Sequence, residues 1–323
     1  MNHLISINDL TDADLASIAA RGRQFRQAAG RPEQSLAGTL VGTYFRKTST
    51  RTRTGFSSGA LRLGARLVAF GPDDLQTNTG ETLEDTIRVL SRMLDVLVAR
   101  TTGTQQELRV MAAQDRMSVV NAMSATEHPT QALADLTTLL CQFGRVDGLR
   151  ILYVGEGNST AAALALALTR FAGVHLEVCT PAGYGLADDI RGQAAHSAAA
   201  HSATFLERHD LPVQPAGVDV IYTTRWRTTG SLRPDPDWRR QFAAFRVDAG
   251  WWRHSPDAVF MHDLPAHRGD EVTGEILDGP ASIAFDQAEN KMYSAMAVLE
   301  WCRYGAAGAA GAGTPVPSYA GVR

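Results

Sequence analysis

The chain has 323 residues, 44% hydrophobic and 20% charged, with a formal net charge of -3 and a pI near 6.3. This is the composition of a globular protein long enough for two domains, and it offers no basic face to a nucleic-acid partner. The N-terminus lacks a signal-peptide pattern and no apolar run approaches the roughly 20 residues of a membrane span, so a cytoplasmic location without a membrane partner is expected. Cys141, Cys179 and Cys302 show neither metal-ligand spacing nor an obvious pairing. They read as small buried hydrophobes of a reduced chain, and no metal site is expected.

In chain order, Thr11 caps a first helix, with Asp12 and Asp14 complementing its dipole and Leu15, Ile18 and Ala19 forming its apolar face. A short strand over 40–45 and a small-residue helix over 55–65 flank FRKTSTRTR (45–53). Ser49, Thr50, Arg51 and Thr52 therefore fall at a helix N-terminus. Unpaired backbone N–H groups, the helix dipole and the hydroxyls all favour a phosphate there, and Arg51 or Arg53 can bind it through two N–H groups. By composition alone the stretch reads equally well as a solvated basic turn.

A strand over 66–70 precedes a polar, Gly-rich loop over 71–81 that contains Gln76. The pattern then predicts a helix over 82–94 with Thr86, Val89, Leu90 and Met93 on its buried side. A strand over 96–99 ends at Arg100, an arginine placed to reach a ligand. After a strand over 118–123 comes EHPTQALADL (127–136), where Pro129 starts a long apolar helix that ends near Gly144. His128 stands just before that helix and Gln131 three residues on, so the two can share a face. A histidine at such a place is usually structural; the glutamine amide can read a neutral amide-like group.

The second half opens with a strand, a Gly-rich turn containing Asn158 and Ser159, and a helix over 160–171. This is the pattern of a nucleotide-binding βα unit. Gly155-x-Gly157 is a weak dinucleotide signal, because no ribose-binding acid ends the next strand, over 175–179. Strands over 218–223 and 258–262 carry Thr224, Arg225, Trp226, Arg227, Thr228 and Thr229, and then Asp263, Leu264 and Pro265, at their C-terminal ends. Ligands bind outside such ends. His196, His201 and His209 lie in a polar stretch and are expected in solvent. A last helix covers 286–304, and the Ala/Gly/Pro-rich piece 305–323 reads as a disordered tail.

The cradle, the His-Pro-x-Gln element and the His-x-Leu-Pro element occur together across nearly the whole chain and resemble the aspartate and ornithine carbamoyltransferases. The likeness to the ornithine enzymes is strongest, through FRKTSTRTR (45–53), ETLEDTIRVLSRM (81–93), EHPTQALADL (127–136), VIYT (220–223), PAHRGDEV (265–272) and AEN (288–290). The resemblance implies an α/β fold of two doubly wound parallel-sheet domains. A carbamoyl phosphate-binding domain would span 1–140 and an acceptor-binding domain 141–285, with a C-terminal helix over 286–304 packing back on the first. It further implies a homotrimer with shared active sites. Ser49, Thr50, Arg51 and Thr52 would hold the phosphate, Arg100 and His128 the carbonyl oxygen, and Gln131 the carbamoyl nitrogen. Leu264 and Lys291 would complete that side, and Gln76 would reach into the neighbouring subunit's site. Negative charge develops on the carbonyl oxygen when an amine attacks, and fixed cationic donors stabilise it there. The departing phosphate can take the amine's proton, so no cofactor is called for.

The acceptor side departs from the ornithine enzymes. Their Asp, which holds the α-amino group of ornithine, is Thr224 here; their Ser-Met-Gly is Thr228-Thr229-Gly230; an Asn is Ser159, the Cys of His-Cys-Leu-Pro is Asp263, and an Arg is Lys291. Losing the acid that neutralises a buried ammonium costs about 2–5 kcal/mol unless the charge comes from elsewhere. The expectation is therefore an amine or amino-acid acceptor other than ornithine. Asn158, Ser159, Thr224, Arg225, Thr228, Thr229 and Asp263 would bind it, with Arg225 or Arg227 on a carboxylate and Asp263 at the attacking nitrogen. Asp263 could instead pair only with Arg268 or Lys291, and Trp226, Trp251 or Trp252 could line the pocket or simply pack. The alternatives are an ornithine carbamoyltransferase, a carbamoyl phosphate-binding relative without turnover and, from the Gly-rich turn, an oxidoreductase.

Overall fold

The computed structural model describes residues 1–28, 32–210, 217–227 and 236–308. Strands and helices alternate as the short apolar runs and capped periodic segments predict. The first half runs α1 (Asp12–Gln27), β1 (Leu40–Phe45), α2 (Thr50–Arg62), β2 (Arg66–Phe70), α3 (Leu83–Leu90), β3 (Val96–Arg100), α4 (Gln105–Ala112), β4 (Ser118–Asn121) and α5 (Pro129–Phe143). The second runs β5 (Arg150–Val154), α6 (Ser159–Leu168), β6 (His175–Cys179), α7 (Asp188–Ala200), β7 (Thr204–Arg208), β8 (Val220–Thr223), α8 (Trp238–Phe242), β9 (Val259–His262), α9 (Gly274–Leu277) and α10 (Ala284–Gly308). They form two sheets, a four-stranded one ordered β2-β1-β3-β4 and a five-stranded one ordered β7-β6-β5-β8-β9. Every strand pair is parallel.

Because side chains alternate along a strand, each sheet feeds two hydrophobic layers. In β3, Val96 and Val98 face the helices α1, α2, α5 and α10, whereas Leu97 and Ala99 face Ile87 of α3 and Leu108 and Met111 of α4. In β5, Ile151 and Tyr153 join the α6 layer, and Leu152 and Val154 meet Phe245, Val272 and Leu277. Helices α5 and α6 pack on each other across the two halves, so one core runs through both. The last helix, α10, returns to pack against α1, α2 and α5. A Cβ on Gly59 of α2 would lie 2.9 Å from Met296 Cγ, so the small residues of α2 let α10 lie close.

Several expectations need correction. The helix over 82–94 is shorter, ending at Leu90, and it buries Thr86 and Ile87. Val89 and Met93, four residues apart, are 47% and 63% exposed, because the buried face runs instead through Thr86, Ile87, Ser91 and Leu94. The final helix is broken at Gly305, where φ is 68°, next to the expected end at 304, and a short separate helical piece reaches Gly308. The rest of the expected tail, 309–323, lies outside the described residues. Among the described residues no helix is long and apolar enough to cross a membrane.

Candidate active site

The cavity between the two halves has a volume of about 320 Å³ and sits where strands of both sheets end. From the first half come Lys47, Thr48 and Ser49 after β1, Arg100 at the end of β3, Met123 after β4, and His128 and Gln131 at the start of α5. From the second come Asn158 after β5, Thr160 in α6, Thr224 and Arg225 after β8, and Asp263, Leu264 and Pro265 after β9. Lys291 of α10 and Thr50, Arg51 and Thr52 of α2 complete the wall. This is the C-terminal edge at which open parallel sheets place ligands.

Five of these side chains are cationic, Lys47, Arg51, Arg100, Arg225 and Lys291, and one, Asp263, is a carboxylate. The cluster strains against itself. Burial pushes Arg100 down to about 10, and the neighbouring Arg225 and Arg51 push the same way while Asp263 opposes them. Burial likewise lowers Arg51 and brings Lys291 down to about 8. A site in which cations repel one another gains most from an anion. Arg51 Nε and Arg100 Nε are also buried with no hydrogen-bond partner among the described residues.

The N-terminus of α2 is open on the cavity. Helices α1, α3 and α4 each use a threonine hydroxyl as cap and carry acids in the first turn; α2 has neither a side-chain cap nor a first-turn acid. Ser49 sits at its cap with its hydroxyl uncommitted to the helix, leaving the backbone donors of the first turn for a ligand. Residue chemistry left Arg51 and Arg53 open, and the family resemblance assigned the phosphate to Arg51. Arg51 lines the cavity, and Arg53 turns away to lie over the Phe45 ring at 5.0 Å.

Arg100 Nη1 lies 3.4 Å from His128 Nε2 and 3.4 Å from the Ala122 carbonyl oxygen. A guanidinium only donates, so His128 Nε2 accepts and its proton rests on Nδ1, facing Thr130 Oγ1 at 3.3 Å. Burial first, then Arg100 and Lys291, holds the His128 imidazole well below its usual range, so it is neutral at pH 7. Gln131 donates through Nε2 to Asp135 at 2.7 Å, and its Oε1 is buried without a partner among the described residues.

On the opposite wall Asp263 accepts from Thr160 Oγ1 at 2.9 Å and from Thr224 Oγ1 at 3.0 Å. It pairs with neither Arg268, which is bound to Asp278, nor the Lys291 ammonium, which donates to the backbone oxygen of Asp263 at 3.1 Å. Asn158 Oδ1 caps α6 by accepting from Thr160 and Ala161 N–H groups, so its Nδ2 faces Thr224 Oγ1 at 3.5 Å. The loop after β9 is fixed from behind: Leu264 N–H donates to His262 Nδ1 at 2.8 Å, and His262 Nε2 then donates to buried Glu271 at 3.1 Å. Met123 at φ 135° and Leu264 at φ 50° both line the cavity in a backbone region that side chains disfavour. Such strain collects at functional sites.

Ser159, expected at the acceptor, does not line the cavity; its backbone oxygen accepts from His128 N–H at 3.0 Å and its hydroxyl is buried. Arg227 is exposed and away from the cavity, so of the two candidate arginines Arg225 is the one on the wall. Gln76 is exposed on a short 3-10 turn and is absent from the cavity of its own chain. Thr228 and Thr229 lie outside the described residues. Trp226 packs with Trp238, Phe242 and Tyr184, while Trp251 and Trp252 donate to backbone oxygens. Thr160 and Lys47 were missed, since nothing local marks a helix threonine whose partner is 103 residues away.

Residues 2–140 match the family described as aspartate/ornithine carbamoyltransferase, carbamoyl-P binding domain, and residues 147–302 match its Asp/Orn binding domain. The chain belongs to the aspartate/ornithine carbamoyltransferase family. It is 38% identical over 300 residues to an ornithine carbamoyltransferase of Thermococcus kodakarensis, covering 92% of this chain and 94% of that one. With an ornithine carbamoyltransferase of Symbiobacterium thermophilum it shares 38% identity over 299 residues, covering 91% and 96%. The solved ornithine carbamoyltransferase of Pyrococcus furiosus superposes with a TM-score of 0.87 at 36% identity, covering 92% of this chain and 96% of that one. This carbamoyltransferase is thus a transferase of a one-carbon group, with the two parallel-sheet domains of its family.

Proposed function

We propose that the enzyme moves the carbamoyl group of carbamoyl phosphate to the amine of an amino-acid acceptor in this cavity, and that ornithine is the first acceptor to consider. The names of the relatives support ornithine over the other acceptor expected from the sequence alone. The observation that carries carbamoyl phosphate is the cation-rich wall around the uncapped start of α2. Ser49, Thr50, Arg51 and Thr52 hold the phosphate, with Lys47 and Lys291 adding charge. Arg100 meets the carbonyl oxygen, and His128 steers Arg100. His128 donates to that oxygen itself only after its proton moves from Nδ1 to Nε2. The amine nitrogen attacks the carbonyl carbon, the carbon–oxygen bond to phosphate breaks with its electron pair leaving on phosphate, and phosphate takes the amine's proton.

A different diamino acid is the second reading, favoured by Asp263. Among the described residues the cavity has one carboxylate, fixed between Thr160 and Thr224, so an acid that meets an ammonium comes from the loop after β9 while position 224 supplies only a hydroxyl. Arg225 is placed for the acceptor's carboxylate. A phosphate-release assay with carbamoyl phosphate against ornithine, its shorter and longer homologues and putrescine decides between them. The highest kcat/KM on ornithine establishes the first reading; a preference of more than about tenfold for another chain length establishes the second. Phosphate release with none of them, above buffer, would sink both. Assembly into a trimer is part of the same proposal, supported by exposed Val89 and Met93 on the first domain and by Gln76 lying outside its own cavity.

A further inference from the structure

The side-chain amide of Gln131 can be turned over with almost no change in shape, exchanging two donors for an acceptor. Something must fix which end faces the cavity. The fixing chain begins at the backbone N–H of His262, which donates to Gln287 Oε1 at 2.8 Å. Gln287 Nε2 is thereby left to donate, to Asp135 Oδ1 at 2.7 Å and to the Tyr222 hydroxyl at 3.1 Å. Having accepted there, Tyr222 donates onward to Asp135 Oδ2 at 3.1 Å. Each of these groups points a donor at Asp135, and a carboxylate answers them only as an acceptor. Gln131 sits one helical turn before Asp135 in α5, so Nε2 is its only complementary end, at 2.7 Å. Gln131, Asp135, Tyr222 and Gln287 are all fully buried, which leaves no solvent to substitute for a lost partner.

We propose that Asp135 is a positioning residue that sets the donor specificity of the enzyme: by holding Gln131 Nε2 it turns Gln131 Oε1 toward the substituent on the reacting carbonyl. That oxygen is the buried acceptor without a partner among the described residues. An acyl phosphate bearing an NH2 group satisfies it. One bearing a methyl group, such as acetyl phosphate, buries it unpaired, and a site built for a hydrogen bond rejects the analogue that lacks one. The inference rests on the reading of this cavity as a carbamoyl phosphate site.

The test compares two stable, nearly isosteric ligands, phosphonoacetamide and its methyl ketone acetonylphosphonate, by calorimetric titration of the intact protein. The wild type is expected to prefer the amide by at least about tenfold. Asp135→Ala removes the acceptor that holds Gln131 Nε2 and lets the amide turn over, and Asp135→Ser replaces the carboxylate with a hydroxyl too short to reach it; in either variant the preference falls toward unity. A merely structural role for Asp135 would weaken both ligands together and leave the ratio intact. Gln131→Met is the control. If its ratio collapses while the ratio of whichever Asp135 variant folds holds, the proposal is overturned and the carbamoyl phosphate reading stands. A wild-type ratio near one, with both ligands bound, also overturns the proposal alone. If the wild type binds neither ligand, the carbamoyl phosphate reading itself falls.

Discussion

Lys291, read from the family resemblance as replacing an arginine, has a pH consequence of its own. Burial of its ammonium brings it down to about 8; Asp263 and Asp135 hold it up, while Arg51 and Arg100 press it lower. It is a cation below that pH and neutral above it, so attraction for a dianionic ligand is lost as pH rises. Affinity for phosphonoacetamide, measured without acceptor, should therefore drop by about tenfold or more between pH 7 and 9.5, the worth of one charged hydrogen bond. Lys291→Arg should flatten that limb, because a guanidinium keeps its proton there. Asp263→Cys, by contrast, should leave phosphonoacetamide binding within about twofold and shift the order of acceptors in the phosphate-release assay. Unchanged acceptor kinetics would make Asp263 a structural partner of Thr160 and Thr224 only. The cradle residues and Gln131 were legible because their types and spacing form short local patterns. The partners of Asp263 were not, because Thr160 reaches it from the first turn of α6 and Thr224 from the end of β8.

At the scale of elements, the site depends on how tightly the loop before α6 is pinned. A Cβ on Gly157 would lie 2.3 Å from the backbone carbon of Gly185 and 2.4 Å from Leu186 N, so the two loops touch through glycine alone. Gly157→Ala should cost about 1–3 kcal/mol in denaturant unfolding, since backbone rather than a flexible side chain must move. It should also raise the acceptor KM more than the donor's, because Asn158 follows directly and both caps α6 and faces Thr224. Equal effects on both substrates would mean the loop does not position the acceptor wall. Strands were legible as elements because apolar runs bounded by polar turns leave few other choices. The buried face of α3 was not: Val89 and Met93 are apolar at helical spacing, yet the stripe that packs runs through Thr86, Ile87, Ser91 and Leu94.

At the scale of the whole molecule, the two sheets share one core through α5 and α6, and α10 ties the first domain's helices to the back of the cavity. Proposed trimer formation predicts a mass near three times 34.8 kDa in sedimentation equilibrium. Met93→Glu, placing a charge on an exposed apolar position, should shift that mass toward the single chain, whereas a chain already monomeric at micromolar concentration would remove the proposal. By itself the sequence determined the alternation of strands and helices, the run of hydroxyls and arginines at the start of a helix and the family resemblance, since each is written in local periodicity or in contiguous motifs. Only the tertiary structure decided that Ser159 turns away from the cavity, that Asp263 is held by two hydroxyls, and that Asp135 gathers donors from α5, β8 and α10. Those outcomes depend on which strand ends and helices meet across the cleft. Contacts between residues far apart in the chain leave no periodic or local signal for a reader of the sequence to find.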